Sequence, residues 1–218
     1  MHSPSDHVLP PWKVLLIGGG SGVGKTMLTQ SLAQWFGVSV FLIDDLRLAL
    51  QQMTTPDQHP GLHVFATDQA AAQRPPEAMR DGLITVGRTL IPAIKMIMAH
   101  HIVVPGVGSL IMEGDGILPQ VAAAHQFHEL KHFSQLTTQQ EIQAVFLIEP
   151  DEDVLYQQFL ARGRGFDALV PTEQRRYVHA SWLYGQWLAT EAHRYHQPVV
   201  PVRPYANLRD RVLAQIGT

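Results

Sequence analysis

Gly19-Gly20-Ser21-Gly22-Val23-Gly24-Lys25-Thr26 satisfies G-x-x-x-x-G-K-[ST] at every fixed position. Glycines at this spacing let successive backbone N–H groups turn inward without a Cβ clash, which makes an anion-binding nest at a positively polarised helix N-terminus. Lys25 then supplies a point charge for β- and γ-phosphates, and the Thr26 hydroxyl can ligate Mg²⁺. The chemistry this spacing offers is the binding of a nucleoside triphosphate.

Acidic residues follow two later apolar runs. Ile43-Asp44-Asp45-Leu46-Arg47 closes the run Val38–Ile43, which reads as a strand ending at Asp44. A carboxylate at such a strand end faces the crevice where ligands bind in open α/β sheets, and can orient or deprotonate an acceptor hydroxyl. Neighbours in extended chain point to opposite sides, so one of Asp44 and Asp45 is expected to face the acceptor. Arg47, one turn on, could fork onto an acceptor phosphate or carboxylate. The run Ser109–Met112 leads into Glu113-Gly114-Asp115-Gly116. Glu113 is the expected Mg²⁺ carboxylate, with Asp115 on the exit loop as the second choice. Arg162 and Arg164 flank Gly163 in a candidate lid, and Arg175 and Arg176 follow. Cations there can offset the charge that spreads during phosphoryl transfer. Arg203-Pro204-Tyr205 opens a loop suited to covering the adenine.

The elements that must position these groups alternate as a doubly wound sheet requires. Strands are expected at 13–17, 38–43, 109–112, 144–148 and 198–202, and a helix over 27–36 stopped by Gly37. Residues 153–162 read as a helix ending at Gly163, and Thr172 as the cap of a long helix reaching Tyr195. Two segments project from this frame. Residues 46–108 form an acceptor-binding region, expected to break into short helices and loops at Pro56, Pro60, Pro75, Pro76 and Pro92. Residues 163–171 form the lid. The expected organisation is one domain over 1–218: an α/β P-loop NTPase with a five-stranded parallel sheet and helices on both faces.

Bulk properties exclude several classes. The formal charge of −3 and pI near 6.4 give no basic face for nucleic acid. The absence of cysteine excludes disulfides, iron–sulfur clusters and cysteine-ligated zinc. The N-terminus lacks a signal pattern, and the apolar stretch 83–104 is interrupted by Arg88, Lys95 and two histidines, so no membrane span and a cytoplasmic location are expected. The only asparagine, Asn207, is followed by Leu-Arg, which removes a guanine-reading Asn-Lys-x-Asp loop. A kinase or a small regulatory ATPase with slow hydrolysis remains, acting as a monomer or homodimer. A rival is written in His128-Glu129-Leu130-Lys131-His132, a literal H-E-x-x-H that would mark a zinc hydrolase if a third ligand joined it.

The chain resembles the 2-phosphoglycerate kinase group of P-loop kinases, relatives of gluconate and shikimate kinases with the nucleoside-monophosphate-kinase-like fold. The resemblance runs from Lys13 to about Leu213. It is strongest in 17–26, Asp44-x-Leu-Arg47, Leu62-His63 and Leu110-Ile-Met-Glu-Gly114, and extends to Arg176-Tyr177. It implies ATP and Mg²⁺ as cofactors, Asp44 and Arg47 near a small-molecule acceptor, Glu113 near the metal and Arg176 near the transferred phosphate. Two departures stand out. Asp115-Gly116 occupies the place of the group's Val-His, and Asp45 that of its Ser. An added carboxylate and a lost histidine disfavour an acidic acceptor such as a phosphoglycerate.

Overall fold

The computed structural model describes residues 8–65, 74–123, 141–163 and 165–217. Five parallel strands, β1 (Val14–Gly19), β2 (Ser39–Leu42), β3 (Leu110–Glu113), β4 (Ile142–Ile148) and β5 (Val199–Pro201), pair in the order β2-β3-β1-β4-β5. β1 is central because it can be buried on both faces, and Val14, Leu15, Leu16 and Ile17 are fully enclosed.

The period of two along each strand divides the core. Val14, Leu16 and Met112 join one cluster with Leu90, Ile94 and Met98 of helix α3 (Pro76–Val103) and Tyr184 and Leu188 of α6 (Pro171–Arg194). Leu15, Ile17 and Ile111 join the other, with Leu28 and Leu32 of α1 (Lys25–Phe36), Leu155 of α5 (Glu152–Arg162) and Val212 of α7 (Leu208–Leu213). Two further α-helices are α2 (Ile43–Met53) and α4 (Pro119–Ala122). The five-stranded parallel sheet covered on both faces is the expected fold.

Several local expectations are corrected. The region 46–108 is not broken throughout. α3 runs unbroken for 28 residues with Pro92 inside it. An interior proline costs about 3 kcal/mol, and burial of Leu90, Ile94 and Met98 around it offsets that cost. By length and composition α3 could also cross a membrane, its most apolar 18-residue stretch having a mean hydropathy of 1.4. Here its apolar side is taken up by the sheet and α6. The expected cap Thr172 lies inside α6, whose N-cap is Val170 without a side-chain bond. α5 does have a capping side chain, Asp151, which accepts from the N–H groups of Asp153 and Val154. Residues 124–140, which include the H-E-x-x-H at 128–132, and Arg164 lie outside the described residues.

Candidate active site

The phosphate loop joins β1 to α1. Gly22 and Gly24 take φ of 86° and 85°, a region that side chains rarely tolerate, and this turns the chain onto the helix start. A Cβ on Gly22 would meet Phe159 at 2.7 Å, so α5 packs directly on the loop. Val23 is buried in the core rather than facing the ligand side. Lys25 opens α1 and folds back over the loop, where its ammonium donates to Gly20 O at 2.9 Å and pairs with Asp115.

Asp115 is more deeply engaged than a free exit-loop carboxylate. Besides Lys25 it accepts from the Ser21 hydroxyl, and the fully buried Tyr184 donates to its backbone carbonyl. Ser181, one turn before Tyr184 on α6, donates to Ser21 O at 3.1 Å. These two α6 hydroxyls fix the loop and Asp115 relative to each other, and nothing local in the sequence marked them. The glycines beside Asp115 serve packing first. A Cβ on Gly114 would meet Ile43 at 2.7 Å and one on Gly116 would meet Leu90 at 2.9 Å.

Glu113 ends β3 and accepts from Thr26 Oγ1 at 3.1 Å. Burial raises its pKa above the ordinary glutamate value, against the opposing influence of Lys25 and the Thr26 bond. Asp115 already holds the Lys25 ammonium, so Glu113 is a buried carboxylate short of positive charge. The adjoining hydroxyl and carboxylate are hard oxygen donors of the kind Mg²⁺ selects. Among the described residues no group of three or more His, Asp or Glu side chains could hold a metal alone. A cation here would complete its shell with phosphate oxygens and water, as Mg²⁺ commonly does.

The acidic pair lies one step beyond its expected setting. β2 ends at Leu42, and Asp44 and Asp45 sit in the first turn of α2. Helical rotation, not strand alternation, therefore separates them. Asp44 lines a cleft of about 630 Å³ together with Ser21, Arg47, Asp115 and Arg162. Asp45 lines a separate hollow of about 340 Å³ with Thr26 and Glu113. The Asp44 pKa is raised by burial and by the nearby Asp115, with Arg47 and Lys25 opposing. Its side chain stays 61 % exposed through the cleft mouth, so solvent moderates the shift until the cleft is filled. Arg47 lies 3.6 Å from Asp44, and its Nε is buried without a hydrogen-bond partner.

The remaining cations scatter. Arg162, the last residue of α5, lines the cleft. Arg176 is half-buried on α6 and does not line it. Arg175 turns away, bonding Asp153 at 2.6 Å and lying 4.0 Å over the Tyr156 ring. Arg203 forks onto the enclosed carboxylate of Glu149 at 2.9 and 2.8 Å. That pairing fixes the guanidinium plane, whose face can meet a base. Beside it the Tyr205 ring approaches Gly24 of the phosphate loop. The lid is pinned at one end, where Gln174 donates to the carbonyls of Phe166 and Leu169 at 3.1 and 3.0 Å.

No protein-family model and no curated protein matches the chain. Solved structures align along nearly its whole length. A gluconokinase from Sinorhizobium meliloti 1021 shares 14% identity over 96% of this chain and 93% of its own, with a TM-score of 0.47. A shikimate kinase from Bacteroides thetaiotaomicron shares 15% over 94% and 98%, at 0.47. A deoxyadenosine kinase from M. mycoides shares 11% over 93% and 98%, at 0.48.

Proposed function

We propose that this protein is an ATP-dependent kinase that transfers the γ-phosphate to a hydroxyl of a small molecule. The observation that carries the reading is continuity. Ser21 and Asp115, which frame the phosphate loop, also line the cleft that holds Asp44, Arg47 and Arg162. A ligand in that cleft would lie against the end of a triphosphate held by the loop.

In this reading the residues Gly19 to Thr26 hold the phosphates, with Lys25 leaving Asp115 to meet the β- and γ-oxygens. Mg²⁺, when bound, offsets phosphate charge, and Thr26 and Glu113 are the residues that would hold it. Asp44 accepts the proton of the acceptor hydroxyl, whose oxygen attacks the γ-phosphorus as the bond to the bridging β-oxygen breaks and ADP leaves. Arg47 and Arg162 face the moving charge, and Arg176 reaches it only if α6 and the lid shift. Arg203 offers its face to the adenine.

An ADP-release screen tests the reading, using purified protein, ATP and panels of hydroxylated compounds. Acceptor-dependent turnover that is lost in Asp44→Asn is the expected result. If ATP binds and no hydroxyl compound exceeds basal hydrolysis, the kinase reading gives way to a regulatory ATPase.

A further inference from the structure

The cleft is polar at one side and apolar at the other, and the division follows the elements. The phosphate loop, α2, the β3 exit and the end of α5 contribute Ser21, Asp44, Arg47, Asp115 and Arg162. α3 contributes a stripe at helical spacing, Met79, Leu83, Val86 and Leu90. Phe65 faces the cleft from the segment before α3, and Phe166 and Leu169 from the lid. α6 adds Tyr177, Ala180 and Ser181 between the two sides, and among the described lining residues none on the α3 and lid sides carries a hydrogen-bonding side chain.

We propose that the acceptor is an uncharged alcohol with a sizeable apolar body, its hydroxyl set at Asp44 and its body laid against the α3 stripe and the lid. This rests on the kinase reading above and adds the class of acceptor. Three observations favour it. A sugar acid or polyol would strip water from several hydroxyls with no partners on the α3 side, which is costly. A phosphorylated acceptor would need cations to spare. The described lining residues instead set Asp44 and Asp115 against Arg47 and Arg162, and a triphosphate would claim positive charge as well. The buried, unpartnered Nε of Arg47 asks for one neutral oxygen near the reacting hydroxyl, such as an ether or carbonyl. A volume of about 630 Å³ suits a ligand of that size.

The test uses full-length protein, MgATP and two sets of probes. One set is benzyl alcohol, 2-phenylethanol, 3-phenyl-1-propanol and 4-phenyl-1-butanol. The other is gluconate, shikimate and 2-phosphoglycerate. Acceptor-dependent ADP release should rise along the first set by about fourfold in kcat/KM per methylene, or roughly 60-fold overall, from the usual worth of a buried methylene. Saturation-transfer NMR should show 4-phenyl-1-butanol bound, and Leu83→Asn should remove that signal while leaving ATP affinity unchanged. If Leu83→Asn does not fold, Val86→Thr, of equal volume, replaces it. Turnover with the polar set alone overturns this inference and leaves the kinase reading intact. Binding of the phenylalkanol without turnover by either set keeps the acceptor-side assignment and removes the kinase reading. Absence of phenylalkanol binding overturns the inference whatever the turnover.

Discussion

In the proposed reading, the groups that would grip the ligand at the phosphate side of the cleft are backbone N–H donors and two side chains within Gly19–Thr26. At the acceptor side they are side chains gathered from α2, α3, α5 and the lid. The first side is stiff because its geometry is local. Gly22 and Gly24 hold left-handed φ, Phe159 packs on the loop, and Ser181 ties it to α6. The second side depends on how α3 and α6 pack, and the lid meets it through Phe166, whose ring sits 5.2 Å from that of Phe159. The same fold can therefore hold one phosphate chemistry while the acceptor changes with side chains on α3. Phosphate grip is expected to tolerate acceptor-side substitutions, and the reverse is not.

Lys25→Ala should break this division most severely. It removes a charge-assisted contact in the ground state and in the transition state, so ATP affinity falls roughly 10- to 100-fold and turnover by about 10²–10³-fold. It also strands Asp115, which loses its ion pair with Lys25. Isothermal titration and single-turnover rates measure both effects. Unchanged ATP affinity would mean that Lys25 stays on Asp115 when nucleotide binds.

Asp44→Asn should sharpen the division. ATP affinity should survive while phosphoryl transfer falls by about 10²-fold, the usual scale for general-base loss. In the wild type, burial and Asp115 raise the Asp44 pKa, so the acid limb of kcat/KM should lie above the ordinary aspartate range. That limb should vanish in the Asn variant. Asp45→Asn should leave transfer nearly intact, since Asp45 faces the hollow beside Glu113 rather than the cleft. A reversed pattern in the two variants would move the base to Asp45.

Arg203→Ala tests the base side of the nucleotide site through stability. Glu149 is fully enclosed and its main cation is Arg203. Arg203→Ala strands the enclosed Glu149 carboxylate and should lower Tm, the loss being moderated by the solvent exposure of Arg203. Thermal unfolding measures it. A change in ATP affinity without a change in Tm would instead make Arg203 a pure ligand contact.

The phosphate side and the sheet were legible in the sequence because their signals are local. An apolar run followed by a glycine loop and a helix fixes β1, the turn and α1 within about twenty residues, and the five strands differ from their expected bounds by one or two residues. The acceptor side was legible only in its acidic markers. Asp44 was expected at a strand end, but Ile43 packs under Gly114 and Gly116 and begins the helix there. The pairing of Asp115 with Lys25, the Tyr184 and Ser181 hydroxyls and the Glu149–Arg203 fork are separated by 54 to 160 positions, and no local pattern announces them. The α3 stripe reads in sequence as ordinary core, and only the cleft in front of it says otherwise.

Glu113→Gln is the smallest expected effect and separates a ligand-holding role from a structural one. The folded-state pKa of Glu113 is raised, so the native state binds more protons than the unfolded one between the ordinary glutamate value and the raised value. Stability from this group is therefore present at acid pH and is lost as pH rises through the folded pKa. Glutamine keeps the shape and an oxygen for Thr26 but carries no charge to desolvate. Without ligands the variant should be more stable than the wild type at neutral pH, by about 1 kcal/mol or less, and the difference should shrink toward zero below the ordinary glutamate range. With MgATP the order should reverse, because a ligand that binds only the native state stabilises in proportion to its affinity, and the variant has lost a metal-side carboxylate. Paired thermal scans at two pH values, with and without MgATP, read all four cases. A variant less stable than the wild type at neutral pH without ligand would mean that Lys25 already compensates Glu113, and the metal side would then pass to Asp45 and Thr26.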